Sequence, residues 1–311
     1  MLRTPLLAAS TLLCSVCSAQ SGTMYAIDSA RVIYTVDITT GAKTQVATAS
    51  SNAGTTGGLA YDCASQTVYL TSTSTDSLYT LDLTTGAATL VGAYGDATVV
   101  MHGLEWDSST NTLYAATSGS FYTVDTATGL ATLVGPTGLT SFTNLGYDSV
   151  NDVLYATNSG ADSFYTIDRT TGLATLIGPL NVSTNPNAMA YIAETDTLYM
   201  SDNTTDTLYT MDRATGVPTA VGPMGAGNIL GLVWIPTTCP GGGPACDAID
   251  YNNDGLFPDT ADIDDFLSVF SGGPCSNDPN CGDIDFNNDG LFPDTLDIDS
   301  LLSVFSGGPC I

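Results

Sequence analysis

The chain has 311 residues, of which 43% are hydrophobic, so it is long enough for one large domain or two smaller ones with packed cores. Asp and Glu total 32 against 5 Lys and Arg, which gives a formal net charge of −27. A surface with this charge repels phosphate backbones and anionic membranes and attracts cations. The composition therefore argues strongly against nucleic acid as a partner.

The first 19 residues have the pattern of a secretory signal peptide. Arg3 precedes an apolar run from Leu6 to Val16, and the predicted cleavage follows Ala19. The run is too short to span a bilayer, and no later segment has the pattern of a membrane helix. We therefore expect a secreted or cell-surface protein. Six of the eight cysteines remain after cleavage, and an even number in an exported chain favours disulfides.

Residues 20–236 contain a repeat whose copies lie 43 to 45 residues apart, as measured between equivalent tyrosines. Those tyrosines are Tyr34, Tyr79, Tyr122, Tyr165 and Tyr209. Each unit holds four short runs rich in Thr, Tyr, Leu and Val, and this period with four strands is typical of propeller blades. An Asp-x-x-Thr-Gly segment joins the third and fourth runs, so we interpret its Asp as a turn residue. The pattern predicts an all-β, five-bladed propeller.

The two ends of the repeat region are incomplete in complementary ways. The first run, Thr23 to Asp28, lacks an inner partner, and the last inner strand, Gly231 to Ile235, lacks the strands that would follow it. We expect the two to complete one blade and close the ring, which leaves no free sheet edge at the junction. Cys63 and Cys239 follow the inner strands of neighbouring blades, so we predict a disulfide between them.

The loops that lead into the inner strands form one mouth of the predicted central channel. Polar residues at or near this mouth form a candidate ligand site: His102, Glu105, Asn144, Asn187 and Asn228. His102 is the only histidine, which excludes a multi-histidine metal site. Glu105 stands where the other inner strands carry Ala, Gly or Val, and it either lines the channel, binds a cation, acts as an acid or makes a single polar contact. No inner strand supplies an obvious second carboxylate facing the same pocket, so we assign no catalytic residue.

Through the recurring segment Leu-Tyr-Thr-x-Asp-x-x-Thr-Gly-x-x-Thr-x-Val-Gly, residues 24–236 resemble secreted propellers of the broad NHL and YVTN type. The resemblance implies an architecture. It implies no activity, because such folds host enzymes, ligand binders and scaffolds alike.

A Pro- and Gly-rich linker at 237–245 precedes a C-terminal region, 246–311, that contains an acidic segment twice. Each copy has the pattern Asp-x-Asn-x-Asp-Gly, in which oxygen ligands on alternate residues converge on Ca²⁺. No carboxylate stands at position twelve, but Asp follows at thirteen, so we expect a loop lengthened by one residue. The predicted ligands of two Ca²⁺ ions are Asp250, Asn252, Asp254, the Leu256 carbonyl and Asp262, and then Asp285, Asn287, Asp289, the Leu291 carbonyl and Asp297.

Each acidic loop leads into a predicted amphipathic helix. Apolar residues at helical spacing form the two stripes, which are Ile263, Phe266, Leu267 and Phe270, and Ile298, Leu301, Leu302 and Phe305. Cys246 and Cys275 are as far apart as Cys281 and Cys310, so the simplest connectivity is one disulfide in each copy. A domain of this size needs metals or disulfides for stability.

The paired cassette, with its Asn-Asn-Asp-Gly-Leu-Phe-Pro-Asp-Thr and Leu-Ser-Val-Phe-Ser-Gly-Gly-Pro-Cys segments, resembles the GC-type dockerin-like anchoring domain, a tandem EF-hand-like module. The resemblance implies calcium binding and attachment to a cell-surface or cohesin-like protein. We therefore interpret the chain as an exported propeller that binds or displays a glycan or protein ligand. The alternative is an extracellular carbohydrate-active hydrolase or lyase carried by the same module, which a second carboxylate near Glu105 would favour.

Overall fold

The computed structural model describes residues 22–96, 98–141, 143–181, 185–237, 239, 249–255, 259–277, 281–282, 284–286 and 295–305. The expected signal peptide and most of the linker lie outside these ranges. So do six residues with predicted roles, namely Leu256, Asn287, Asp289, Leu291, Cys246 and Cys310.

The repeat folds into five four-stranded antiparallel sheets, which confirms the predicted five-bladed all-β propeller. Thr, Tyr, Leu and Val fill the strands because branched and aromatic side chains pack well on a pleated surface. Blade 1 contains β1 (Gly22–Asp28), β2 (Val32–Val36) and β3 (Lys43–Thr48), and blade 2 contains β4 (Thr56–Asp62), β5 (Thr67–Ser72), β6 (Ser77–Leu81) and β7 (Ala88–Ala93). Blade 3 contains β8 (Gly103–Asp107), β9 (Thr112–Ala116), β10 (Ser120–Val124) and β11 (Ala131–Pro136). Blade 4 contains β12 (Thr143–Asp148), β13 (Val153–Asn158), β14 (Ser163–Ile167) and β15 (Ala174–Pro179). Blade 5 contains β16 (Pro186–Ile192), β17 (Thr197–Asp202), β18 (Thr207–Met211) and β19 (Pro218–Pro223).

The last strand, β20 (Ile229–Pro236), is the inner strand of blade 1 and pairs antiparallel with β1. Thr23 lies opposite Ile235, and Tyr25 lies opposite Val233. The inner strands β20, β4, β8, β12 and β16 contact one another in a cycle. Strands from the beginning and the end of the repeat region therefore share one blade.

The turn between the third and fourth strands of each blade has the predicted Asp chemistry. In blade 2 the Asp82 carboxylate accepts the backbone N–H groups of Thr84 and Thr85 at 2.8 and 3.0 Å. Gly86 has a φ of 76°, in the left-handed region that glycine adopts at little cost. The Thr84 hydroxyl, which donates to Asp82 Oδ1 at 2.7 Å, and these backbone groups hold the pKa of Asp82 below its usual value. The equivalent aspartates Asp37, Asp125, Asp168 and Asp212 accept the same kind of bond.

The Cys63–Cys239 disulfide is confirmed, with the two Cα atoms 5.5 Å apart. The predicted pairing within each C-terminal cassette is wrong, because Cys275 is bonded to Cys281, with a Cα–Cα distance of 6.5 Å. The chain after the first helix folds back, and the Ser276 N–H donates to Asp265 Oδ1 at 2.8 Å. That contact brings Cys275 within disulfide reach of Cys281.

Two helices of 11 residues, α1 (Thr260–Phe270) and α2 (Thr295–Phe305), follow the acidic loops. Asp259 caps α1 by accepting the Ala261 N–H at 2.7 Å. Phe266 is fully buried, and its ring meets Tyr251 edge-on, with centroids 5.3 Å apart. In the described part of the chain, neither these helices nor any other is long and apolar enough to cross a membrane.

The buried stripe of each helix differs from the predicted one. Leu267 and Leu302 were expected inside but are 43% and 46% exposed. Asp262 and Asp297 are instead fully buried at the start of their helices. The buried face of each helix therefore includes Asp262 or Asp297 and excludes Leu267 or Leu302. Each helix is rotated about its axis relative to the orientation that would bury the predicted apolar stripe.

A candidate ligand cavity at one end of the propeller

A cavity of about 390 Å³ lies at the end of the propeller where the inner strands finish and their turns begin. All five inner strands contribute to its lining, and the turn residue Cys63 lies at its edge. Each inner strand supplies one aromatic residue at the equivalent position: Tyr61, Trp106, Tyr147, Tyr191 and Trp234. A cavity of this size, with mainly apolar walls and a few polar groups, has the dimensions of a small-molecule site.

The polar composition of this cavity is unusual for the chain. The sequence contains only two tryptophans, Trp106 and Trp234, and only two glutamates, Glu105 and Glu194. All four line the cavity. The 32 acidic residues of the sequence are 2 glutamates and 30 aspartates. The aspartates after the third strand of each blade accept hydrogen bonds within turns. The cavity is therefore the one place where the chain uses the longer carboxylate.

Strand β8 positions Glu105 between small neighbours. The residues at the same position of the other inner strands are Ala60, Gly146, Ala190 and Val233. Like Glu105, each of them lies opposite a tyrosine of the second strand of its blade. A Cβ atom at Gly146 would lie 2.9 Å from Met189 Cβ, so this layer leaves no room for a second large side chain there. The small neighbours give Glu105 space to extend into the cavity.

The environment of Glu105 disfavours its charged form. Burial raises its pKa to about 8, although backbone N–H groups of Trp106 and Tyr147 oppose that rise. The Trp106 N–H donates to Glu105 Oε1 at 3.0 Å. The negative charge of Asp107 raises the pKa further. Among the described residues, no ion pair involves Glu105, so this carboxyl has no cationic side chain as a partner.

Glu194 is the second carboxyl, and sequence reasoning missed it. It lies on a short 3-10 helix, Ala193–Thr195, directly after the inner strand β16. The Trp234 indole N–H donates to Glu194 Oε1 at 3.5 Å. The inner strands alone indicated no partner for Glu105, because this one comes from a turn. The signal that could have found it is the rarity of glutamate in the chain.

Two of the aromatic residues that line the cavity, Tyr147 and Tyr191, already bind other side chains. The Tyr147 hydroxyl donates to Asp152 at 2.8 Å, and the Tyr191 hydroxyl donates to Asp196 at 2.6 Å. Arg169 and Arg213 lie over these rings at 5.6 and 5.5 Å from the centroids. Each arginine also forms ion pairs with two aspartates, and no Lys, Arg or His of the described ranges lines the cavity.

The other predicted channel-mouth residues lie towards the opposite ends of the inner strands. Asn144 donates to the Pro186 carbonyl at 3.1 Å, and Asn187 donates to the Asn185 side chain at 2.9 Å. Burial lowers the pKa of His102 to about 4. Asn228 is exposed, and its carbonyl accepts the Ser29 N–H at 2.9 Å.

The propeller axis is nearly closed between that end and the cavity. The space enclosed by all five inner strands there is about 10 Å³, roughly the room for one water molecule. Close backbone approach produces this closure: a Cβ atom at Gly58 would lie 2.7 Å from the Leu104 nitrogen. The structure therefore separates Glu105 from His102, Asn144, Asn187 and Asn228 instead of gathering all five at one mouth.

The described part of the first acidic loop brings predicted calcium ligands close together. Asp250 accepts the backbone N–H groups of Asp254 and Gly255, both at 3.0 Å. Asp262 accepts the Asn252 N–H at 3.4 Å and is fully buried. In the second copy, Asp297 is also fully buried.

The donor chemistry of the first loop is oxygen only, as a Ca²⁺ site requires. Within the described ranges, no three His, Cys, Asp or Glu side chains come together in a way that could hold a metal ion. An EF-type loop adds amide and backbone carbonyl oxygens to its carboxylates, and here Asn252 supplies the amide. A fully buried carboxylate such as Asp262 is costly unless it is paired or coordinates a cation, so the residues present fit Ca²⁺.

No protein-family model matches the chain, and comparison with curated proteins finds no match. The chain is similar to solved structures at low identity. One, from a nidogen/laminin complex, is 16% identical over 70% of this chain and 99% of that chain, with a TM-score of 0.49. Another, from work on the de novo evolutionary emergence of a symmetrical protein, is 15% identical over 68% and 97%, with a TM-score of 0.47. A third, virginiamycin B lyase from Staphylococcus aureus, is 11% identical over 65% and 70%, with a TM-score of 0.43. All three TM-scores are below 0.5, so the five-bladed architecture rests on the strand pairing of this chain.

Proposed function

We propose that the chain is an extracellular ligand-binding propeller, attached to a cell surface or extracellular complex through a calcium-dependent C-terminal module. The observation that carries the binding role is the cavity that contains both tryptophans and both glutamates. Rare, large and chemically specific side chains gathered in one concave site are typical of ligand recognition.

The cavity is also preformed, which favours binding because little ordering is needed when a ligand arrives. The backbone of the inner strands is fixed by neighbours on both sides. The Cys63–Cys239 disulfide holds two segments at the cavity edge, and Cys63 itself lines it.

The calcium role rests on the acidic loops and their buried carboxylates. Asp250, Asn252, Asp254 and Asp262 would hold one ion, and Asp285 and Asp297 would contribute to the second. Bound Ca²⁺ would neutralise the charge of buried carboxylates such as Asp262. The partner reached through this module is a cell-surface or cohesin-like protein, as the dockerin-like resemblance implies.

Tryptophan fluorescence of the full chain tests the binding role. Excitation at wavelengths absorbed by Trp alone reports on the cavity, because Trp106 and Trp234 both line it. We expect a saturable change with at least one member of a panel of neutral oligosaccharides, organic cations and organic anions, and loss of that change in Trp106→Ala. A panel that produces no saturable change would contradict the binding role.

Calorimetry with Ca²⁺ on the full chain tests the module. We expect two sites, and loss of one in each of Asp262→Asn and Asp297→Asn. The matched controls are Asp264→Asn and Asp299→Asn, exposed aspartates two residues further along each helix. Equal binding by ligand and control variants, or no binding at millimolar Ca²⁺, would refute the calcium role.

A second candidate function is glycoside hydrolysis by the same cavity. It is favoured by the two carboxyls in one aromatic-lined site, since such enzymes pair a protonated acid with an ionised carboxylate. Glu105, whose pKa is raised by burial, would be the acid, and Glu194 the base or nucleophile. Release of the chromophore from aryl glycosides, lost in Glu105→Gln and in Glu194→Gln, would establish this candidate.

A further inference from the structure

We propose that the cavity binds an organic cation, an alkylammonium or quaternary ammonium group, with Glu105 as its counter-charge and aromatic rings as its walls. The proposal rests on the binding role of the cavity and names the chemical class of its ligand. It is carried by three features of the site: its charge, its aromatic lining and its small number of neutral hydrogen-bond donors.

The charge of the site is the first argument. Glu105 and Glu194 line the cavity, and among the described residues no Lys, Arg or His does. The nearest arginines do not supply the missing positive charge, because Arg169 and Arg213 are each shared between two aspartates. Each of those clusters therefore carries a net negative charge, and the whole protein carries −27. A concave site with charge of one sign concentrates ions of the opposite sign.

The aromatic lining is the second argument. Every inner strand contributes one ring to the wall, and two of the five are indoles, which attract cations most strongly among aromatic side chains. The rings of Tyr147 and Tyr191 already carry guanidinium groups. Trp106 and Trp234 carry no such contact among the described residues, so they are the rings we expect a ligand cation to meet.

The third argument separates a cation from a neutral sugar. Recognition of a sugar requires several directional donors and acceptors for its hydroxyls. The cavity offers the hydroxyls of Tyr61, Ser108 and Ser149, but the hydroxyls of Tyr147 and Tyr191 are already donated to aspartates. Within the described part of the chain, no Asn, Gln, Arg, Lys or His side chain lines the site. A ligand that needs one counter-charge and apolar walls fits this surface better than one that needs many hydrogen bonds.

The protonation of Glu105 gives the proposal a pH signature. The titratable groups that share the cavity with it are Tyr61 on β4, Tyr147 on β12, Tyr191 on β16 and Glu194 on the turn beyond, and Asp107 lies on its own strand. Burial raises the pKa of all three tyrosines, so they stay neutral in this range. Because Glu105 is protonated below about pH 8, a cation must displace its proton. Affinity should therefore rise about tenfold for each pH unit up to that point.

The test uses choline and its uncharged carbon isostere, 3,3-dimethyl-1-butanol, with the full chain. Trp fluorescence and calorimetry measure the dissociation constant of each at pH 6 and pH 9. We expect choline to bind at least tenfold more tightly than the alcohol at pH 9. We also expect Glu105→Gln to remove that preference and the pH dependence, while Asp264→Asn, an exposed helix variant with the same change of net charge, retains both.

Two results would overturn the proposal. One is equal binding of choline and the alcohol, and the other is an unchanged preference in Glu105→Gln. Circular dichroism of each variant establishes that it is folded before its affinity is interpreted. If choline does not bind but an oligosaccharide gives a saturable signal that requires Trp106, the proposed binding role is supported and the proposed cationic ligand is contradicted. If no compound gives a saturable signal, the binding role itself is contradicted.

Discussion

The guanidinium of Arg213, in blade 5, forms an ion pair with Asp148, the last residue of the inner strand of blade 4. The same group pairs with Asp196 of its own blade at 2.7 Å. One blade earlier, Arg169 joins Asp107 of blade 3 to Asp152 of blade 4 in the same way. These arginines therefore bridge successive blades.

The residue types on the two sides of these junctions change together from one blade to the next. Each arginine occupies the position just after the turn aspartate, and at two other junctions that position is apolar. There Ile38 packs in the cluster that contains Ile192, and Leu83 packs in the cluster that contains Ile235. Ile192 and Ile235 stand where Asp107 and Asp148 stand in blades 3 and 4. Four of the five junctions thus use either an Arg–Asp pair or an apolar pair, whereas the fifth has Thr126 after the turn and Asp62 at the end of the inner strand.

This pairing predicts how junction variants behave. Arg169→Leu leaves the fully buried Asp107 without its cation. We expect a loss of about 3 kcal/mol in the free energy of unfolding, at the low end for a broken buried pair because Arg169 is partly exposed. Adding Asp107→Ile rebuilds the apolar type of junction and should recover most of that loss. Thermal and denaturant unfolding measure both. A double variant no more stable than the single one would contradict the pairing rule.

The contribution of Glu105 to the free energy of unfolding of the propeller should fall as pH rises from about 4.5 to about 8. Unfolded Glu105 loses its proton near its ordinary pKa of 4.5, whereas folded Glu105 retains it to about 8. Between these values the native state binds more protons, so raising the pH favours unfolding. Glu105→Gln should remove this part of the pH dependence, as measured by denaturant unfolding at each pH. An identical profile in the variant would show that Glu105 is ionised in the folded protein.

His102 should act in the opposite direction. Burial lowers its pKa from 6.5 to about 4, so the unfolded chain takes up the proton first. The stabilisation from its neutral form is present above pH 6.5 and is lost as the pH falls towards 4. Because it is the only histidine, NMR titration of its imidazole signal measures the pKa without ambiguity. A midpoint near 6.5 would contradict the buried environment.

Peptide mapping without reduction tests the two disulfides. We expect Cys63 linked to Cys239 and Cys275 linked to Cys281. Replacing Cys63 and Cys239 with Ser should lower the free energy of unfolding by about 2–4 kcal/mol, because that bond constrains a long segment of the unfolded chain. A fragment that joins Cys246 to Cys275 would restore the connectivity expected from spacing alone.

The propeller was predictable because its signals are local. Strand runs, the Asp and Gly of each turn and the repeat period are all visible without tertiary information. The tail disulfides were not predictable, because symmetric spacing describes two similar copies and not the path of the chain between them. The exposure of Leu267 follows from burial of Asp262, which hydropathy alone does not anticipate.

The cavity required both levels of information. Glu105 stood out against the small residues of the other inner strands, but the strand pattern grouped it with residues such as His102 that lie towards the opposite ends of those strands. Glu194 belongs to a turn, so its proximity to Glu105 depends on where β16 ends in space. Composition alone contained a clue that was not used, since the only two glutamates and the only two tryptophans meet there.

The sharing of blade 1 between β1 and β20 has a consequence for the order of folding. β1 is among the first strands to be synthesised, yet its inner neighbour begins only at Ile229. Blades 2 to 5 each draw their strands from one continuous stretch and can assemble as that stretch becomes available. Blade 1 has to wait for the last strand, and contacts this distant in sequence form slowly. A chain interrupted before Ile229 would keep an open sheet edge at β1. The propeller is therefore complete only after β20 has been synthesised and has paired with β1.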